Sequence, residues 1–173
     1  MKVVLQGLMM SVLSIVLITV LSLGITQLYA KDSNSGVQQQ LPSQKELVDL
    51  FFAAARTGNN EVISEFLKHG FPVDVKNHVG FTPLMMATYY GHQPVVTTLI
   101  AHGANRCERD NKGHTALMGA IVKAEWAIAR QLRKVDCDVN AKQNGLLTTE
   151  EFAQVFGQDQ QLKKMLESYS QQQ

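Results

Sequence analysis

The side chains in this chain that could do chemistry are five histidines, a set of methionines and two cysteines. His69, His78, His92, His102 and His114 offer ring nitrogens, Met85, Met86, Met118 and Met165 offer thioether sulfurs, and Cys107 and Cys137 offer thiols. Together they are the donors a soft metal or a haem would use, or those of a redox-protective module. Their spacing points elsewhere. The methionines fall at helical intervals, where Met is core filler. His69 and His102 occupy one position of a repeat, at helix ends where a histidine complements the C-terminal dipole. The cysteines are too few for a disulfide framework and lack metal-ligand spacing. No nucleophile elbow, phosphate loop or H-E-x-x-H run is present. The reading is of a protein that is not an enzyme, with no cofactor and no metal site.

Composition is ordinary for a globular protein. Apolar residues make up 45% of the 173 and charged residues 18%. A net charge of +1 gives no basic face for nucleic acid. From Val3 to Ile25 there is no charged residue, behind Lys2. A helix of that length, at about 1.5 Å per residue, spans a hydrocarbon core of about 30 Å. A signal peptide ending at Ala30 and an uncleaved signal-anchor helix both fit segment 1–30. Either exports the rest of the chain across a membrane, soluble after cleavage or held at that membrane by the anchor. Segment 31–45 is Gln/Ser-rich and reads as a flexible polar linker, and 168–173 as a disordered tail.

The elements that must position these side chains repeat. Gly80-Phe81-Thr82-Pro83-Leu84 returns further along as Gly113-His114-Thr115-Ala116-Leu117. Gly58 pairs with Gly91, Leu67 with Ile100 and Gly70 with Gly103 at the same offset, and Ala54, Ala87 and Ala120 form a series. The shared offset, about 33 residues, is the period of one repeat class of paired helices.

Gly80–Asn105 resembles an ankyrin repeat throughout. Glu46–Asn77 resembles one whose Thr-Pro start is replaced by Asp49-Leu50. Gly113–Lys142 is degenerate, with Ala116, Ala124 and Asp136 at the Pro and Gly positions, and Gly145–Leu166 keeps Ala153 and Gly157 but is one residue out of phase. The resemblance implies an all-α fold, an ankyrin-repeat solenoid of about four stacked helix-turn-helix units with finger loops over 46–167. The units are about 46–77, 78–110, 111–143 and 144–167, and a hydrophobic N-terminal helix precedes them. Thr82 would cap a first helix, Pro83 begin it, Gly91 turn the chain and Gly103 end the second helix. Terminal units would carry polar outer faces. Met85 and Met118 stand where such repeats usually have His, which predicts a looser stack. Cys107 falls in a finger and Cys137 nearer a helix end. Bridging needs Cα atoms within about 7 Å, so two free thiols are expected, with a bridge open to an exported chain.

In that family partners are held by finger tips and the exposed side of the first helices. By position this gives Arg56 and Thr57 from the first unit, and His78, Val79, Phe81, Tyr89 and Tyr90 from the second. The third gives Asn111, Lys112, His114, Val122 and Lys123. Phe81, Tyr89 and Tyr90 are the aromatic anchors, while Trp126 reads as core or convex surface. The implied function is a non-enzymatic protein–protein interaction module, partner unidentified, exported across the inner membrane, with no nucleic acid and with membrane contact if the leader is uncleaved. Small exported proteins of this kind resemble a periplasmic bacterial group, some linked to catalase, so the resemblance also implies oxidative-stress protection. The alternatives are the metal- or haem-binding module above and a secreted effector that binds host proteins.

Overall fold

The first helix of the chain that the structure describes starts beside a serine, and the reason is local. Ser43 Oγ accepts from the Glu46 N–H at 3.3 Å, and the Glu46 carboxylate accepts from the Ser43 N–H at 2.7 Å. This reciprocal cap sets α1, Gln44–Thr57. The computed structural model describes residues 43–170, with side chains through residue 168. The apolar leader and most of the linker, 1–42, and the last three residues lie outside the described residues.

The described elements are α1, then α2 (Asn60–Lys68), α3 (Pro83–Tyr89), α4 (Gln93–Ala101), α5 (Ala116–Val122), α6 (Trp126–Leu132), a 3-10 turn (Lys142–Asn144), α7 (Thr149–Val155) and α8 (Asp159–Ser170). They form four antiparallel pairs. First helices α1, α3, α5 and α7 pack in one layer, and second helices α2, α4, α6 and α8 in another. Among the described residues there is no strand, and no helix is long and apolar enough to cross a membrane.

Sequence dictates each pair in the same way. Thr82, Thr115 and Thr148, spaced by one period, accept from the N–H groups of Met85, Met118 and Glu151 at 3.3, 3.3 and 3.2 Å. Ala54, Ala87, Ala120 and Ala153 are buried at one equivalent position per pair, where a larger side chain would hold the layers apart. Gly58, Gly91, Ala124 and Gly157 turn the chain between the two helices, all with positive φ. Phe51, Ile63, Leu84, Val95, Leu99, Ile121, Ile128 and Leu132 are at most 1% exposed and make one continuous core between the layers.

Several expectations need correction. The first helix is capped by Ser43, not begun at Asp49, because the Ser43–Glu46 pair satisfies free N–H groups well ahead of that position. The fourth pair is in phase. Thr148 and Ala153 keep the register of the other pairs, and only the glycine at 145 has slipped by one. Helix α8 continues through Ser170, where the sequence reads as a frayed end. Met118 does not leave its site without a hydrogen bond, since its sulfur accepts from the Thr115 N–H at 3.4 Å.

The expectation of free thiols is overturned. Cys107 and Cys137 form a disulfide, with Cα atoms 5.1 Å apart. By the repeat, Leu132 is equivalent to Leu99, yet α6 stops at Leu132 while α4 runs on to Ala101. The chain leaves the second layer early and comes up beside the preceding finger, which brings Cys137 within reach of Cys107.

Candidate functional site

The fingers between pairs are built by one device used twice. Asn77 Oδ1 accepts from the N–H groups of Val79 and Phe81 at 3.1 and 3.0 Å. Asp110, one period on, accepts through Oδ1 from the N–H groups of Lys112 and His114, both at 2.8 Å. These side-chain turns close the finger tips without secondary structure. The two tips are tied to each other. The Asn111 N–H donates to the Val79 carbonyl at 3.2 Å, and Asn111 Nδ2 donates to the His78 carbonyl at 3.1 Å. Lys76 Nζ reaches Arg109 O at 3.0 Å and Glu108 at 2.7 Å. Gly80 has φ +82, and a Cβ there would run into Asn111, so the tie needs glycine.

Below the fingers, α3, α5 and α7 leave an apolar cavity of about 180 Å³. Phe81, Met85, Tyr89, Val122, Phe152 and Phe156 line it, with Gly119 at mid-helix and the Asp110–His114 pair at its edge. His114 Nδ1 lies 3.2 Å from Asp110 Oδ2, and its ring packs on Phe152 at 5.1 Å between centroids. Phe152 packs on Phe156 at 4.6 Å. Asp110 is the one acid in the lining, and its side chain is 5% exposed.

Beside the cavity Tyr89 and Tyr90 stand 40% and 49% exposed, edge to face with ring centroids 5.5 Å apart. Lys123 Nζ sits 4.9 Å over the Tyr89 ring, a cation–π contact. Tyr90 stacks on the His92 ring, whose Nε2 lies 2.8 Å from the Arg56 carbonyl of the preceding pair.

The sequence-derived face is thus distributed unevenly. Phe81, Tyr89, His114 and Val122 meet at the cavity, with Lys123 beside them. Lys112 and Val79 are exposed on the finger tips. Asn111 is exposed, but its amide is committed to the finger tie. Arg56 and His78 line a separate cleft with Phe52, Asn77 and Met86, one repeat back. Thr57 is exposed and bonds the Ala53 carbonyl at 2.9 Å. Trp126 is half-buried against the core. Sequence reasoning missed Phe152 and Phe156, taking the fourth unit as a polar cap. Phe156 lies one period after Lys123 and two after Tyr90, and that was the available signal.

The possible donors for a metal or a haem are dispersed. Met118 is fully buried and Met85 6% exposed, both as core side chains. Both thiols are in the disulfide. No three of the described His, Cys, Asp and Glu side chains are grouped as a metal would require. Near the second finger, burial pushes the Asp74 carboxyl up, opposed by the Asn105 N–H that donates to it at 3.1 Å.

Residues 50–143, more than half of the chain, match the family model described as ankyrin repeats in three copies. Relatives match over parts of their length. An E3 ubiquitin-protein ligase of Arabidopsis thaliana is 41% identical over 90 residues, which is 51% of this chain and 17% of the ligase. A putative ankyrin repeat protein of Pseudomonas aeruginosa is 38% identical over 52 residues, 30% of each chain. An ankyrin repeat-containing protein of Schizosaccharomyces pombe is 28% identical over 118 residues, 68% of this chain and 56% of that one. This chain therefore spans only a minor part of the ligase. Ankyrin arrays serve generally as scaffolds that bind other proteins rather than as catalysts. The capped helix pairs, the tied fingers and the regular register of the repeats place this chain in the ankyrin-repeat family.

Proposed function

We propose that this protein is an exported protein-binding module whose partner docks on the first-helix layer and finger tips around Tyr89 and Tyr90. The observation that carries the reading is the exposed tyrosine pair. Tyr89 lines the apolar cavity and Tyr90 stands next to it, the two rings edge to face and flanked by Lys123 and His92. Aromatic side chains held rigid before binding lose little entropy on binding, and they dominate the energetics of protein interfaces. A solenoid offers such a surface along its layer of first helices.

Export is supported by the charge-free run Val3–Ile25 and by the Cys107–Cys137 bridge, a bond that persists in oxidising compartments. The periplasm is the compartment both features fit, with the leader either cleaved or kept as an anchor. Protection against oxidative stress, in a catalase-linked role, is the process in which the resemblance would put such a module. The test is affinity capture with the full chain and with Tyr89→Ala/Tyr90→Ala, each checked for unchanged thermal midpoint. The double variant should lose the partners that the parent holds. Capture of every partner by the variant would remove the interface assignment.

A further inference from the structure

Gly119 sits in the middle of α5, where glycine weakens a helix relative to alanine. No neighbour forces glycine there, because a Cβ built on it meets nothing within 4 Å. Its backbone is helical, without the positive φ that favours glycine at the turns. The equivalent residue one repeat earlier is Met86, which lines the corresponding cleft between α1 and α3. At position 119 the missing side chain leaves open space, and that space is part of the cavity of about 180 Å³.

We propose that this cavity is a socket for one aromatic side chain of an acidic peptide segment of the partner. This rests on the reading of the face as a protein-binding surface and names the chemistry it selects. Size and lining fix the anchor. An apolar protein cavity of about 150 Å³ is enough to hold benzene, and this one is walled by Tyr89, Val122, Phe152 and Phe156. Those rings offer edges and faces to an inserted phenyl group. Charge fixes the flanks. Asp110 is nearly buried and occupied by two N–H groups and His114. Lys112 is exposed on the finger above, and Lys123 holds its ammonium over Tyr89 on the other side. Residues on either side of the inserted ring therefore meet positive charge, which favours Asp or Glu and rejects Lys or Arg.

The probe is a fluorescein-labelled peptide with one phenylalanine flanked by two glutamates on each side, read by fluorescence anisotropy against the full, disulfide-bonded chain. Controls replace the phenylalanine by alanine or the glutamates by lysines. Binding is expected for the first peptide, weaker by about tenfold or more for each control. Gly119→Leu fills the socket and should cost about tenfold or more as well. Gly119→Ala should keep the fold with an equal or higher thermal midpoint. Should Gly119→Leu fail to fold, amide shifts of Gly119, Val122 and Phe156 on titrating the parent with the peptide decide the matter. Absence of binding, binding indifferent to phenylalanine or to Gly119→Leu, or unmoved amides at those positions would each overturn the socket. The tyrosine face would still be judged by its own capture experiment. Equal binding of the lysine-flanked peptide would overturn the acidic specificity. A dimer seen by sedimentation and dissolved by Gly119→Leu would assign the socket to a second copy and overturn the peptide.

Discussion

Arg109 lies on the finger before α5, and its guanidinium meets Asp138 at 3.4 Å, with the two side chains 16% and 13% exposed. The same guanidinium donates to the Gly113 carbonyl at 2.6 Å and to the Cys137 carbonyl at 3.3 Å. Asp138 also accepts from the Thr149 N–H at 2.8 Å, at the first residue of α7. One ion pair therefore joins the finger before α5 to the start of the helix that carries Phe152 and leads into Phe156.

Asp138→Ala should destabilise the chain by about 2–3 kcal/mol, because it leaves Arg109 short of its anion and a helix-start N–H without its acceptor. Asp138→Asn, which keeps an acceptor for Thr149, should cost less. Urea denaturation compares the two, and hydrogen exchange at Thr149 should quicken in the alanine variant. Equal stability of both variants and the parent would mean the ion pair holds nothing.

Reduction of the Cys107–Cys137 bridge should lower stability by about 3–4 kcal/mol, the chain-entropy value for a closed loop of about 30 residues. Cys107→Ser/Cys137→Ser should show the same loss and be insensitive to reductant. A parent whose denaturation midpoint does not move with dithiothreitol would contradict this.

Ala124 is the only non-glycine residue of positive φ, at +57°, among the described residues. An L side chain there costs about 1 kcal/mol that glycine avoids. Ala124→Gly should raise stability by about that amount, seen as a higher urea midpoint with an unchanged slope. Gly91→Ala, at the equivalent turn, should do the reverse, since its Cβ would also come within 2.6 Å of Glu125 Oε1.

Thr88 is fully buried on α3, and its hydroxyl has no hydrogen-bond partner among the described residues. The equivalent residue in the next unit is Ile121, also fully buried. Thr88→Val removes a polar group that nothing satisfies and should stabilise by about 1 kcal/mol. A loss of stability measured by thermal melting would show that the hydroxyl has a partner in solution.

Acid should remove a stabilising contribution at the two capping glutamates. The Ser43 N–H holds the Glu46 carboxyl below the usual glutamate value, and the Thr148 N–H does the same for Glu151. A lowered carboxyl contributes stability above its unfolded value and loses it as pH falls through the folded one. Asp74 has the opposite sign. Burial raises it, so folding grows less favourable as pH climbs from the ordinary aspartate value through the raised one. Proton titration by NMR should show Glu46 and Glu151 below, and Asp74 above, their ordinary values. Amide exchange at Ser43 and Thr148, taken relative to the intrinsic rate at each pH, should lose protection on acidification.

The helix pairs were legible because one residue carries each signal. Thr82 with Pro83 marks a helix start, and small Ala87 and Gly91 mark a close approach and a turn. Ser43 was hidden because it lies outside the period, and local capping settled the start of α1. The fourth unit looked out of phase because Gly145 drew attention from Thr148, which keeps the register. The disulfide was not legible, since it depends on α6 ending at Leu132, two residues short of the equivalent end of α4, and no motif marks that end. Tyr89 and Tyr90 could be placed on an exposed side from their repeat position. The cavity could not, because it needs Phe152 and Phe156 from the next unit and the space left by Gly119.

The bridge has a mechanical meaning as well. If the chain is pulled from its ends, the residues between Cys107 and Cys137 cannot unravel, although they include all of α5 and α6. Fully extended, about 30 residues amount to about 100 Å of hidden length. An optical trap would record that much less extension for the oxidised chain than for the reduced one. The oxidised array would also yield from its first two units while the third remained a closed ring.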